Sequence, residues 1–117
     1  MSDRPATAYK VLTAEQMDRL ETDGTFAGAP VDLADGFIHL STSRQLDETV
    51  TKHFAGMDNL CIAAVDLAAL GAAVKWEPSR GGDLFPHVYA ALPLSAVIAY
   101  RPLERDDERK VKLPVAG

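Results

Sequence analysis

Gly36-Phe37-Ile38-His39-Leu40-Ser41-Thr42 alternates apolar and polar side chains and then runs into Ser43-Arg44-Gln45-Leu46. A period of two predicts a strand, with Ile38 and Leu40 on one face and Phe37, His39 and Ser41 on the other. The second face mixes a ring, an imidazole and a hydroxyl, which is unusual for a surface meant only for packing. Thr42 with Gln45 has capping-box spacing, and Leu46, Val50 and Phe54 recur at i, i+4 and i+8, so an amphipathic helix follows and is expected to end at Gly56.

Working outward, Tyr9 to Leu12 reads as a strand, and Thr13-Ala14-Glu15-Gln16 opens a helix that buries Met17 and Leu20 and stops near Gly24. The stretch from Phe26 to Asp35, broken by Gly28 and Pro30, reads as a loop. Asn59 to Val65 is almost continuously apolar, as a strand covered on both faces should be, and Asp66 caps a short turn over Leu67 to Leu70. Val74 to Glu77 alternates again, Pro78 to Asp83 is rich in breakers, and Phe85-Pro86-His87-Val88-Tyr89 and Ala96 to Tyr100 complete the strands. Helices come early and strands late, which predicts an α+β domain rather than a doubly wound sheet.

The 117 residues suffice for one core and not for two, so residues 1–117 are expected to form a single domain with residues 1–7 and 104–117 as less ordered tails. Seven consecutive charged residues from Glu104 to Lys110 read as a solvated face. Twelve Lys and Arg against seventeen Asp and Glu leave a net charge of −5, which disfavours non-specific nucleic-acid binding. No apolar run is long enough to span a bilayer, and the first residues lack the apolar stretch of a secretory signal, so a cytoplasmic protein is expected. Cys61 is the sole cysteine; between Leu60 and Ile62 it reads as a small buried hydrophobe.

The polar groups at strand spacing define the expected site. His39, Glu77 and His87 are its candidate catalytic residues, and Phe37, Ser41, Thr42 and Tyr89 its ligand-binding residues. Imidazoles and carboxylates exchange protons or orient a sugar hydroxyl, hydroxyls bind phosphate or ribose, and aromatic rings stack on bases. Each histidine could instead tie a loop to its sheet, since a buried imidazole needs hydrogen-bond partners. His53, on the packing helix, is a weaker candidate. No short-range histidine spacing points to a metal, and no nucleophile elbow, phosphate loop or zinc-protease helix is present. A triad of Ser41 or Ser43, His87 and Asp35 can be assembled on paper.

The blocks Tyr9-Lys10-Val11-Leu12, Asp35 to Thr42, Trp76-Glu77 and Phe85 to Tyr89, in this order and spacing, resemble a bacterial family called domain of unknown function 952. The resemblance runs from about Tyr9 to Tyr100. It implies a small ADP-ribosyltransferase-like fold, with two antiparallel-rich sheets around a cleft and two main helices, and NAD as the cofactor. Phe37 to Ser41 is also similar to the His-Leu-Ser strand of RNA 2'-phosphotransferases. The first strand departs from both, because Lys10 stands where those enzymes hold the dinucleotide with an Arg or a His-Gly pair. The expectation is therefore a protein whose partner is a small nucleotide-like or ADP-ribose-like molecule, with group transfer from NAD as its chemistry if it is an enzyme. Two alternatives stay open: a non-catalytic domain that binds a metabolite or a protein through the same cleft, and a metal-dependent hydrolase using the histidines.

Overall fold

A computed structural model describes residues 5–114, apart from the side chain of Arg80. Its largest sheet is built on the apolar run expected to be central. Strand β4 (Leu60–Asp66) pairs antiparallel with β1 (Thr7–Thr13) from Thr7↔Asp66 to Thr13↔Leu60, and on its other edge with β8 (Val97–Pro102) through a register shift between Ala64 and Val65. Both faces are covered. Ala8, Leu12, Ala63 and Val65 pack on helix α1 (Ala14–Asp23) through Met17 and Leu20, while Val11, Leu60 and Ile62 pack on α3 (Ser43–His53) through Leu46 and Val50. Burying a Leu- or Val-sized side chain contributes about 1.5–3 kcal/mol, so these two layers dominate the stability.

Local chemistry starts and stops the helices. The Thr13 hydroxyl accepts from the Gln16 N–H while the Gln16 side chain accepts from the Thr13 N–H, a complete capping box, and Gly24 closes α1 in the left-handed conformation at φ 76°. At α3 only half of that box forms: the Gln45 side chain accepts from the Thr42 N–H and also donates to the Leu84 carbonyl. The helix ends at His53, with Phe54 rather than Gly56 as its last hydrogen-bonded residue.

The stretch expected as a loop from Phe26 to Asp35 contains structure. Thr25–Phe26 forms β2, which pairs with β7 (Leu92–Pro93), and Pro30–Asp35 forms a short helix, α2. Pro30 breaks helices in their interior, yet at the first helical position its missing N–H is one that the helix leaves unbonded anyway. Gly36, at φ 88°, ends α2 instead of starting a strand.

The second large sheet has the order β3 (Ile38–His39), β6 (Leu84–Val88), β5 (Val74–Pro78), and both pairings are antiparallel. The strand expected from Gly36 to Ser41 is thus ladder-paired only at its centre. Beyond Leu40 the chain leaves this sheet, and Ser41 exchanges both backbone hydrogen bonds with Tyr9 of β1, at 2.7 and 2.9 Å. That crossing ties the two large sheets together. Among the described residues there are three antiparallel sheets rather than two; α1 and α3 are the two main helices expected, and α2 and α4 (Leu67–Leu70) are short.

From residue 104 the chain turns back at Arg105↔Val111, and Val111 is buried beneath α3 with its N–H donating to Asp47 at 2.7 Å. The charged residues of the turn are exposed, as a solvated run should be. Residues 1–4 and 115–117 of the expected tails lie outside the described residues. Among those described, no helix is long and apolar enough to cross a membrane.

Candidate functional site

The β3–β6 register places His39 opposite His87 as Cα partners, and the pleat sets Phe37 and Tyr89 on the same face. The four rings form one cluster. Phe37 stacks on His87 at 4.0 Å between centroids and lies 4.5 Å from His39 and 5.3 Å from Tyr89, while the two imidazoles meet edge to face at 5.5 Å. Ring packing therefore holds both histidines side by side on one wall, rather than on facing walls.

Each imidazole is oriented by a carboxylate. His87 Nδ1 lies 2.8 Å from Glu77 Oε1, and the same oxygen accepts from the Tyr89 hydroxyl at 2.7 Å. The Tyr89 hydrogen bond, and after it that of His87, hold the Glu77 carboxyl below its ordinary range; the same bond pushes the Tyr89 phenol up. The Lys75 ammonium stands 5.2 Å from the centre of the Tyr89 ring. On the neighbouring strand, His39 Nδ1 lies 2.6 Å from Asp32 Oδ1 and Nε2 lies 2.9 Å from Asp35 Oδ2, so that helix α2 clasps this ring from both ends.

Asp32 is the hub of the site. At 1% exposure it accepts from the Ala29 N–H at 2.8 Å, from the His39 N–H at 3.1 Å and from the Lys10 ammonium, whose Nζ lies 2.9 Å from Oδ2. Lys10 shares the inward face of β1 with Ala8 and Leu12, and its Nζ also donates to the His39 carbonyl at 3.1 Å. Burial alone would raise the Asp32 carboxyl and is the largest single influence. The hydrogen bond from His39, the charge and hydrogen bond of Lys10 and the Ala29 N–H together outweigh it and bring the carboxyl down to about 2. Burial pushes the Lys10 ammonium down, against the pull of Asp32.

A cleft of about 530 Å³ opens beside this wall, lined among others by Tyr9, Lys10, His39, Ser41, Phe85 and His87, with Ala29, Pro30, Val31 and Asp35 of the α2 segment along its rim. Its size is that of a small-molecule site. The expected site residues divide over it. His39, Ser41 and His87 line the cleft; Glu77 stands behind His87 and orients it; Phe37 and Tyr89 face a separate, shallower hollow of about 270 Å³. Thr42 lines neither and serves the start of α3. His53 lines the cleft from α3.

The triad of Ser41, His87 and Asp35 does not assemble. Asp35 bonds His39, the Ser41 hydroxyl pairs with that of Thr49 at 2.8 Å, and the carboxylate on His87 belongs to Glu77. Among the described residues, no group of three His, Cys, Asp or Glu side chains is placed to hold a metal ion. Cys61 packs against the core, its thiol pushed up by burial and by the nearby Asp18 and Glu21. Lys10 and Asp32 were missed as site residues, and Asp35, considered only for a triad with His87, bonds His39 instead. The signal was present in Lys10, since an ammonium on the face between Ala8 and Leu12 requires a buried counter-charge.

Fold and site define a small antiparallel α+β domain with a two-imidazole cleft. The chain belongs to the family described as Protein of unknown function (DUF952), which matches residues 11–100. It is similar to protein CC0527 from Caulobacter crescentus: the crystal structure of that protein shares 43% identity at a TM-score of 0.82, over 91% of this chain and 93% of that one. The solution structure of the same protein gives 43% identity and a TM-score of 0.77, over 91% of each chain. No curated protein matches the chain.

Proposed function

We propose that the cleft binds a nucleotide-like small molecule of the ADP-ribose or NAD class, within an ADP-ribosyltransferase-like arrangement of the two large sheets. The observation that carries this is the His39–His87 pair, drawn from distant parts of the chain onto one wall of a cleft of about 530 Å³ and fixed there by separate carboxylates. A pair that served only to fasten loops would not need to line an open hollow. Tyr9 and Phe85 add aromatic surface for a base or a nicotinamide, and Ser41 adds a hydroxyl.

Binding without turnover is the form of this function that the geometry favours. Asp32 and Asp35 are committed to His39 and Lys10, and Glu77 to His87 and Tyr89. Group transfer from NAD is the second reading, and the ionised Glu77 supports it. A carboxylate held low in pKa behind His87 is suited to stabilise, through that imidazole, an oxocarbenium-like charge as the glycosidic bond breaks. The two are separated by heating the protein with NAD and with ADP-ribose and assaying free nicotinamide. Stabilisation by both without nicotinamide release is the expected result, release proportional to enzyme would establish transfer, and no stabilisation by either would remove the nucleotide assignment.

A further inference from the structure

The two imidazoles are held differently, and the difference determines what each can offer. A carboxylate only accepts. His39 meets carboxylates through both ring nitrogens, so neither is left for a ligand. His87 meets one, through Nδ1 at 2.8 Å from Glu77 Oε1. Its Nδ1 therefore carries the proton, and in the neutral ring Nε2 carries the lone pair. Nε2 makes no hydrogen bond among the described residues, although His87 is 4% exposed and lines the cleft. Nε2 is not one of the sealed, unpaired atoms of the interior, so it opens on the cleft, where a ligand donor can take the place of water on its lone pair.

The ring has little freedom to escape this role. Phe37 stacks on its face, its backbone stands in the β3–β6–β5 ladder, and the Glu77 oxygen that orients it is itself fixed by the Tyr89 hydroxyl. Glu77 holds His87 directly, and Lys10, the described lysine that lines the cleft, is engaged by Asp32. A phosphate brought to this lone pair would meet an acceptor and a carboxylate. A hydroxyl would meet the one partner it needs.

We infer that His87 Nε2 accepts a hydrogen bond from a ligand hydroxyl, so that this end of the cleft takes the sugar part of the ligand and turns phosphate away. The inference rests on the nucleotide assignment of the cleft, yet it can be tested apart from it. Nitrogen-15 spectra of the histidine rings at neutral pH read the tautomer with no ligand present, and His87 is expected with Nδ1 protonated and Nε2 bare. Titration with ADP-ribose, and with free ribose at high concentration, is expected to move the Nε2 resonance, while pyrophosphate leaves it in place. His87→Phe, which keeps the stack on Phe37, is expected to weaken ADP-ribose about tenfold, the worth of one hydrogen bond.

A proton on Nε2 in the free protein, or a pyrophosphate shift at Nε2 equal to that of ribose, overturns the inference. If ADP-ribose fails to bind while ribose still moves Nε2, the nucleotide assignment falls and the hydroxyl acceptor stands. Should His87→Phe fail to fold, the tautomer and the comparison of ribose with pyrophosphate decide the matter on the parent protein.

Discussion

Replacing Asp32 with alanine is the sharpest perturbation of the site. The carboxylate is 1% exposed and neutralises the buried Lys10, so its removal leaves an ammonium without a counter-charge, at a cost of about 3–5 kcal/mol. The N–H groups of Ala29 and His39 lose their acceptor as well, at about 1 kcal/mol each, although water entering the gap recovers part of this. We expect a loss of about 4–5 kcal/mol, a large fraction of the roughly 5–15 kcal/mol that holds a domain of this size. Urea denaturation at neutral pH, followed by the fluorescence of Trp76, the sole tryptophan, gives the value directly. Adding Lys10→Met to the variant is expected to recover about 2 kcal/mol, because it removes the stranded charge. A single variant within about 1 kcal/mol of the parent, or a second substitution that only adds to the damage, would refute the description of Asp32 as hub.

Three further outcomes follow from the same contacts. The Asp32 carboxyl lies at about 2 in the folded state against an ordinary 3.8, so its contribution is present in full above pH 3.8 and is lost as pH falls through 2. It amounts to about 2.5 kcal/mol, and Asp32→Asn should flatten that acid limb of the stability curve. Glu77→Gln should bring the Tyr89 phenol back down towards its ordinary range, seen by ultraviolet titration of tyrosinate; an unchanged midpoint would mean that the two side chains do not bond in solution. Gly28 sits at φ 129° with the position of an added Cβ 2.9 Å from the Asp32 Cβ, so Gly28→Ala should cost about 2 kcal/mol or more in thermal unfolding, and a neutral result would show that α2 is free to shift.

Long regular signals were legible in the sequence and short irregular ones were not. The run from Leu60 to Val65 gave the central strand because covered strands need apolar side chains on both faces, and Thr13 with Gln16 marked the start of α1 to the residue. Helix α2 was hidden because its six residues carry no periodic apolar stripe: Val31 and Leu33 are exposed at 58% and 64%, and its inward residue is the charged Asp32. His39, Ser41 and His87 could be chosen from strand spacing, since cross-strand partners on one face meet whenever the strands pair. The choice of carboxylate for each ring was out of reach, because Glu77 and Asp32 reach their histidines through a register and a helix cap that only the folded chain defines.

An amide-shift map recorded while ADP-ribose is titrated into labelled protein puts the cleft itself to trial. We expect the changes to gather at Tyr9, His39, Ser41 and His87 and to saturate, with the edge strand β8 unmoved. Changes scattered over β8 and the Arg105–Val111 turn, or no saturable change at all, would contradict the assignment of this hollow as a nucleotide-binding site.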